Sequence, residues 1–175
     1  MNFKHQIAKY ITGNLTTIQL PEIGLLGLQE GLDSESLIIL AGLNKNDNPF
    51  VIQKYFDKTI EELNIELPEK RQAALIYAIG LIEEIEKGKL EIIKGVYELK
   101  NNAIDSYDFF GESDKYCYDS IGLEKFFGLF DDYFEIEECG DLWNEKKKGK
   151  LTKEVKSELI TELFKWKDKI EKNGV

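Results

Sequence analysis

The stretch Pro68-Glu-Lys-Arg-Gln-Ala-Ala-Leu-Ile-Tyr-Ala-Ile-Gly-Leu-Ile-Glu-Glu-Ile-Glu-Lys-Gly88 decides the fold. Leu75, Ala78, Ile79, Ile82 and Ile85 recur every three or four residues, the period of one helical face. Proline opens the segment without needing an amide donor, and Gly88 supplies a C-terminal cap. A long core helix is the reading.

Working outward, the same signals repeat. Phe3, Ile7, Ala8 and Ile11 share a face, and Gly13 ends it. Pro21 opens a brief turn of helix through Leu25, Leu26 and Leu28. Asp33 or Ser34 caps a helix carrying Leu37, Ile38 and Ala41, closed by Gly42. Asn48-Pro49 pairs an N-cap with proline at the first helical position, and Ile52, Tyr55, Phe56, Thr59, Ile60 and Leu63 follow as a stripe. A further helix covers Glu91 to about Ile104, with Ile92, Val96, Leu99 and Ala103 inward. Residues 152–172 form the last, through Val155, Leu159, Leu163, Trp166 and Ile170. Short extended pieces are expected only at residues 14–20 and 133–137. The expectation is one all-α domain over residues 1–175, an irregular bundle or array of six to seven antiparallel helices with little or no strand.

The chain has 175 residues, 42% hydrophobic and 32% charged, which is ordinary globular composition. No apolar run approaches the length of a membrane span, and the N-terminus lacks the plan of a signal peptide. The two cysteines, Cys117 and Cys139, read as reduced thiols, and a cytoplasmic protein is expected.

The charge is unevenly placed. Between Asp105 and Asp141 stand twelve acids and two lysines, a balance of −10, which equals that of the whole chain. Ten aromatic residues share that stretch: Tyr107, Phe109, Phe110, Tyr116, Tyr118, Phe126, Phe127, Phe130, Tyr133 and Phe134. One reading makes the rings core and the acids a solvated face. The other makes them a surface for a basic protein, with Tyr107, Asp108, Asp114, Tyr118, Asp119, Asp131, Asp132, Tyr133 and Glu135 as contact residues. An immunity-type protein that neutralises a basic toxin or nuclease has this character. The run Lys146-Lys147-Lys148-Gly149-Lys150 reads as a loop or as an offset to the acids. The net negative charge argues against nucleic acid as a partner.

Recognisable catalytic patterns are missing. His5 is the single histidine, so sites needing two are excluded. No phosphate-cradling glycine loop, nucleophile elbow or calcium loop occurs. No metal, cofactor or catalytic residue is assigned. Adjacent acids such as Glu83/Glu84 and Asp131/Asp132 keep a carboxylate- or metal-dependent enzyme as the alternative. An oligomerising domain built on the Trp166 stripe is a third, with the oligomeric state left open.

Residues 32–95 resemble a family of uncharacterised small helical bacterial proteins. The resemblance rests on Leu32-Asp33-Ser34-Glu35-Ser36-Leu37, Leu40-Ala41-Gly42-Leu43, Asn48-Pro49-Phe50, Ile65-Glu66-Leu67-Pro68, Ala73-Ala74 and Gly88-Lys89-Leu90. The family continues as Gly-x-Ile-x-Pro-x-x-Gly. Gly88 and Gly95 fit, while Ile92 stands where proline is usual. The resemblance implies a helical cytosolic fold and carries no activity or site residue.

Overall fold

The computed structural model describes residues 1–138 and 145–172. Eight α-helices and no strand are found among them: α1 (Phe3–Ile11), α2 (Leu20–Gln29), α3 (Glu35–Gly42), α4 (Pro49–Glu62), α5 (Lys70–Glu86), α6 (Ile92–Glu98), α7 (Glu124–Glu138) and α8 (Glu145–Lys172). The fold is all-α. The helix beyond the expected six to seven is α7, which occupies the acidic segment.

Two short strands expected from sequence are absent. Thr17–Gln19 is a turn of 3-10 helix leading into α2, and residues 133–137 lie inside α7. The lysine run is not a loop. It lies in the first turns of α8, which begins seven residues before the expected start.

The chain divides into two compact units, Met1–Tyr107 and Asp108–Val175, where the sequence reading expects one domain. In the first, a cluster of Phe3, Ile7, Leu20, Ile23, Leu37, Leu40, Ile52, Phe56 and Ile60 joins α1 to α4. Local caps set the starts. Ser34 Oγ accepts from the Leu37 amide at 3.2 Å, and Asn48 Oδ1 accepts from the Phe50 amide at 2.9 Å. Gly24 and Gly27 of α2 face Leu40 and Leu37 of α3, where a Cβ would come within 3.0 and 3.3 Å of their side chains. Ser36 at the start of α3 meets Glu62 at the end of α4, its Oγ 2.6 Å from Glu62 Oε1.

The helix α5 is buried on every side from Ala73 to Ile82. Its small residues let α1 approach. A Cβ on Gly80 would sit 2.7 Å from His5 Cγ, so only glycine fits there. Further along, Lys9 Nζ lies 5.4 Å from the Tyr77 ring centre. A Cβ on Gly95 would sit 2.6 Å from Ile85 Cδ1, which brings α6 equally close. The turn between α5 and α6 forms on Gly88 at φ +66°, without the proline that the resemblance pattern places at Ile92. Beyond α6 the helix widens into a π turn at Leu99–Ala103 and then tightens into a 3-10 turn at Ile104–Ser106.

Two buried polar groups in this unit have consequences for stability. The Tyr77 hydroxyl has no hydrogen-bond partner among the described residues. Burial, followed by the nearby Glu98 carboxylate, pushes its pKa up to about 12. Tyr77→Phe removes an unsatisfied donor without opening a cavity, so stability in urea should stay level or rise by about 1 kcal/mol. A clear loss would show that the hydroxyl is bonded after all.

His5 is buried, and its Nδ1 lies 3.5 Å from the Asn2 amide while Asn2 Oδ1 accepts from the His5 amide at 2.9 Å. This reciprocal cap needs an unprotonated Nδ1, so the neutral ring carries its hydrogen on Nε2. Burial holds the His5 pKa below the ordinary histidine value, against the pull of Glu83, whose Oε1 lies 3.9 Å from Nε2. The unfolded chain therefore binds a proton that the folded chain refuses. Stability should fall as pH drops from 7.5 through about 6.5 toward 5.5. Urea midpoints followed by far-UV circular dichroism should show this slope, and His5→Gln should flatten it. An equal slope in both proteins would place its origin elsewhere.

Candidate functional site

The second unit carries eight of the nine contact residues read from sequence. Tyr107 is the last residue of the first unit, half-buried, with its amide donating to Ile104 O at 3.2 Å.

Residues 108–119 contain no α-helix, and three side chains there bond their backbone. Asp108 Oδ1 accepts from the Gly111 amide at 2.8 Å. Ser113 Oγ accepts from the Tyr118 amide at 2.8 Å and donates to Phe109 O at 3.1 Å. Asp119 takes three amides: Asp114 at 3.1 Å, Lys115 at 2.8 Å and Tyr116 at 3.1 Å. Those bonds, from Lys115 first and Tyr116 next, hold the Asp119 carboxyl below the usual carboxylate range. Short acids and serines do this because they reach backbone donors within a few residues.

The loop buries Phe109 and exposes Phe110 and Tyr116, whose relative exposures are 61% and 69%. Phe110 packs edge-on to Tyr118 at 6.4 Å, and Tyr118, in the left-handed region at φ +63°, stacks on Phe127 at 3.9 Å. The ring contacts continue through Phe126, Phe130 and Phe134 to Tyr133. Phe109, Phe126, Phe127 and Phe130 are core. Tyr118, Tyr133 and Phe134 are half-buried.

Along α7, Glu124, Gly128, Asp131, Glu135 and Glu138 form one exposed stripe. The spacing of three to four residues places them on one face, away from buried Phe126, Leu129 and Phe130. Among the described residues none of these four acids, nor Asp132, forms an ion pair. Tyr116, Cys117, Glu124, Gly128 and Asp131 border one shallow depression of about 340 Å³. The structure thus brings Asp131 and Glu135 onto one face and sets exposed Tyr116 beside Asp131. Asp108 and Asp119 are instead engaged in folding the loop. Asp114 is exposed on that loop, and Asp132 is exposed on α7 beside the stripe. Phe110, Tyr116, Glu124 and Glu138 were not among the contact residues read from sequence. Whether a ring in a phenylalanine-rich stretch faces water is set by tertiary packing, which the sequence pattern does not display.

Helix α8 covers the other side of α7. Leu159, Leu163, Trp166 and Ile170 are buried, and Trp166 Nε1 donates to Ile121 O at 2.7 Å. The stripe proposed for pairing with another chain is therefore used within its own unit. Lys125 pairs with Glu162 at 3.0 Å near the start of α7, and Lys148 with Glu137 at 3.5 Å near its end. Charge is offset accordingly. The second unit holds 17 acids and 12 lysines, the first 16 acids and 11 bases, so each carries −5.

Among the described residues no group of three His, Cys, Asp or Glu side chains is placed to hold a metal ion. The carboxyls with lowered pKa, Glu62, Glu84, Asp119 and Glu162, owe the shift first to hydrogen bonds they accept and lie on four separate elements. Cys117 is exposed and free, and Cys139 lies outside the described residues. No described helix is long and apolar enough to cross a membrane.

No family model, no curated protein and no solved structure matches the chain.

Asp119→Ala should release the loop without unfolding the unit. Amides of residues 114–116 should exchange with deuterium about tenfold faster or more, while α7 and α8 keep their helical signal. Unchanged protection would mean that the carboxylate does not hold the loop.

Proposed function

We propose that the second unit is a protein-binding module that receives a basic partner on the Tyr116 loop and the acidic face of α7. The observation that carries this reading is the pairing of exposed rings, on a loop held by its own side chains, with a neighbouring row of unpaired carboxylates. Exposed carboxylates raise the encounter rate with a basic protein and hold it weakly. Rings already fixed in place add contact area at small entropic cost. The combination suits an immunity-type protein, which must capture a toxic basic enzyme quickly and then keep it. The setting would be cytoplasmic, and residues 32–95 would place the chain with the small helical bacterial proteins they resemble. The opposed pairing of helix ends between α1 and α5, α2 and α3, and α7 and α8 favours an irregular antiparallel array within each unit.

The immobilised 175-residue chain exposed to host lysate at low salt should retain a basic protein that elutes as salt rises through the physiological range. Two variants separate recognition from ion exchange. Asp131→Asn/Glu135→Gln should mainly slow association, and Phe110→Ser/Tyr116→Ser should mainly speed dissociation. Retention unaffected by the ring variant would reduce the surface to a solvated acidic face and end the proposal.

A further inference from the structure

The first unit contains a cavity of about 540 Å³ that the binding face on the second unit does not involve. Its size falls within the roughly 300–1,000 Å³ typical of small-molecule sites. The back wall is Phe3, Ile7 and Ile76, all buried. Leu32 and Ile65 flank it, and Leu67 stands at the mouth with 44% of its surface exposed. The walls are thus apolar from four directions: α1, the turn after α2, the connection between α4 and α5, and α5 itself.

The space is held open by its surroundings. The Phe3 amide donates to Glu30 Oε1 at 2.8 Å, which fixes the start of α1 against the end of α2. The Phe3 ring lies on Gly27, where a Cβ would be only 2.9 Å from Cε2. The ring therefore rests on the α2 backbone. Ile65 is anchored by its amide, which donates to Ile60 O at 3.0 Å after Asn64 turns the chain at φ +51°.

The rim is polar and unevenly charged. Among the described lining residues Lys4 is the single cation, against Glu30, Glu66 and Glu69. Glu66 and Glu69 form no ion pair among the described residues, and both are exposed on the connection that carries Leu67. An apolar interior behind a net negative lip matches a ligand with a hydrophobic body and a positive end. We propose that this cavity binds a small hydrophobic amine, its aromatic or aliphatic body against Phe3, Ile7 and Ile76 and its ammonium at Glu66 and Glu69. No bond is made or broken. Binding draws on burial of apolar surface, and charge selects the sign of the head group.

Isothermal titration of the full chain with naphthylethylamine and with naphthylacetate tests the inference, since the two probes share a ring system and differ in charge. The amine should bind one to one, and the carboxylate about fivefold more weakly, the difference that one or two exposed ion pairs supply. Glu66→Gln/Glu69→Gln, both at exposed positions, should bring the two affinities together. Leu67→Ser should weaken both probes by about tenfold, because it removes apolar contact at the mouth. Saturation by neither probe, equal affinity for both in the unaltered protein, or an unaffected Leu67→Ser variant would each overturn the proposal.

Discussion

The first unit depends on the desolvation of α5. Ten consecutive residues, Ala73 to Ile82, are withdrawn from water on every side of the helix. A helix apolar all round has no face to present to solvent, so other elements must cover it. The short helix α1 meets that need from one side and a second need from the other. Phe3 and Ile7 enter the cluster formed with α2, α3 and α4, while His5 and Ala8 also lie buried, His5 against Gly80. Nine residues thus join the helical cluster of α2–α4 to the central helix. This junction explains why close approach matters more than bulk at Gly80: a methyl group there would collide with His5 and disturb both layers.

The same junction gives the His5 ring its chemistry. Its imidazole is packed against α5, yet its Nδ1 is within reach of an amide at the start of α1. A core position and a capping position coincide in one side chain. Charging the ring would place a cation in a desolvated site and also turn the capping nitrogen into a donor. Glu83, with Oε1 at 3.9 Å, offsets part of this, but it does not reverse the effect of burial. The lone histidine, which looks like a surface residue from its place near the terminus, is a structural one. Its spacing from Phe3 and Ile7 gave no hint, because a partner glycine 75 positions away is invisible in local periodicity.

Where helices follow single stripes with caps, the sequence was legible. Ser34 and Asn48 cap as their residue types suggest, and the stripe from Leu159 to Ile170 is the buried face of α8. Legibility failed at α7. Phe126-Phe127 and Tyr133-Phe134 put adjacent rings on either side of any one face, and Gly128 falls inside the pattern, so no simple period emerges. The structure resolves the conflict by giving the extra rings different neighbours: Phe127 is covered by Tyr118, and Phe134 by Phe130. The lysine run misled for the opposite reason. It lacks apolar residues, yet the helix extends through it, with Lys148 and Thr152 reaching Glu137 on α7. At the central helix the stripe of Leu75, Ala78, Ile79, Ile82 and Ile85 was right, but the other face proved equally buried.

Charge density read along a chain is a poor guide to charge density on a surface. The segment 105–141 carries the entire formal excess of the protein, yet the two units carry equal charge once α8 is counted. Individual acids in the segment also do different things. Asp119 is spent on three amides, Asp108 on one, and Glu137 on Lys148 and Thr152. The carboxylates of the α7 stripe remain without such partners. A solvated face would account for those acids by themselves, since surface acids need no explanation. It does not account for Tyr116 and Phe110, which lose nothing by being polar unless something covers them. Single exposed rings are common on proteins. Here, however, the loop that exposes them is tied down by two aspartates and a serine, and one of the rings borders the same depression as Asp131. Order at an exposed aromatic tip opposes chain entropy without burying that tip, and the proposed binding role would give that order a physical purpose.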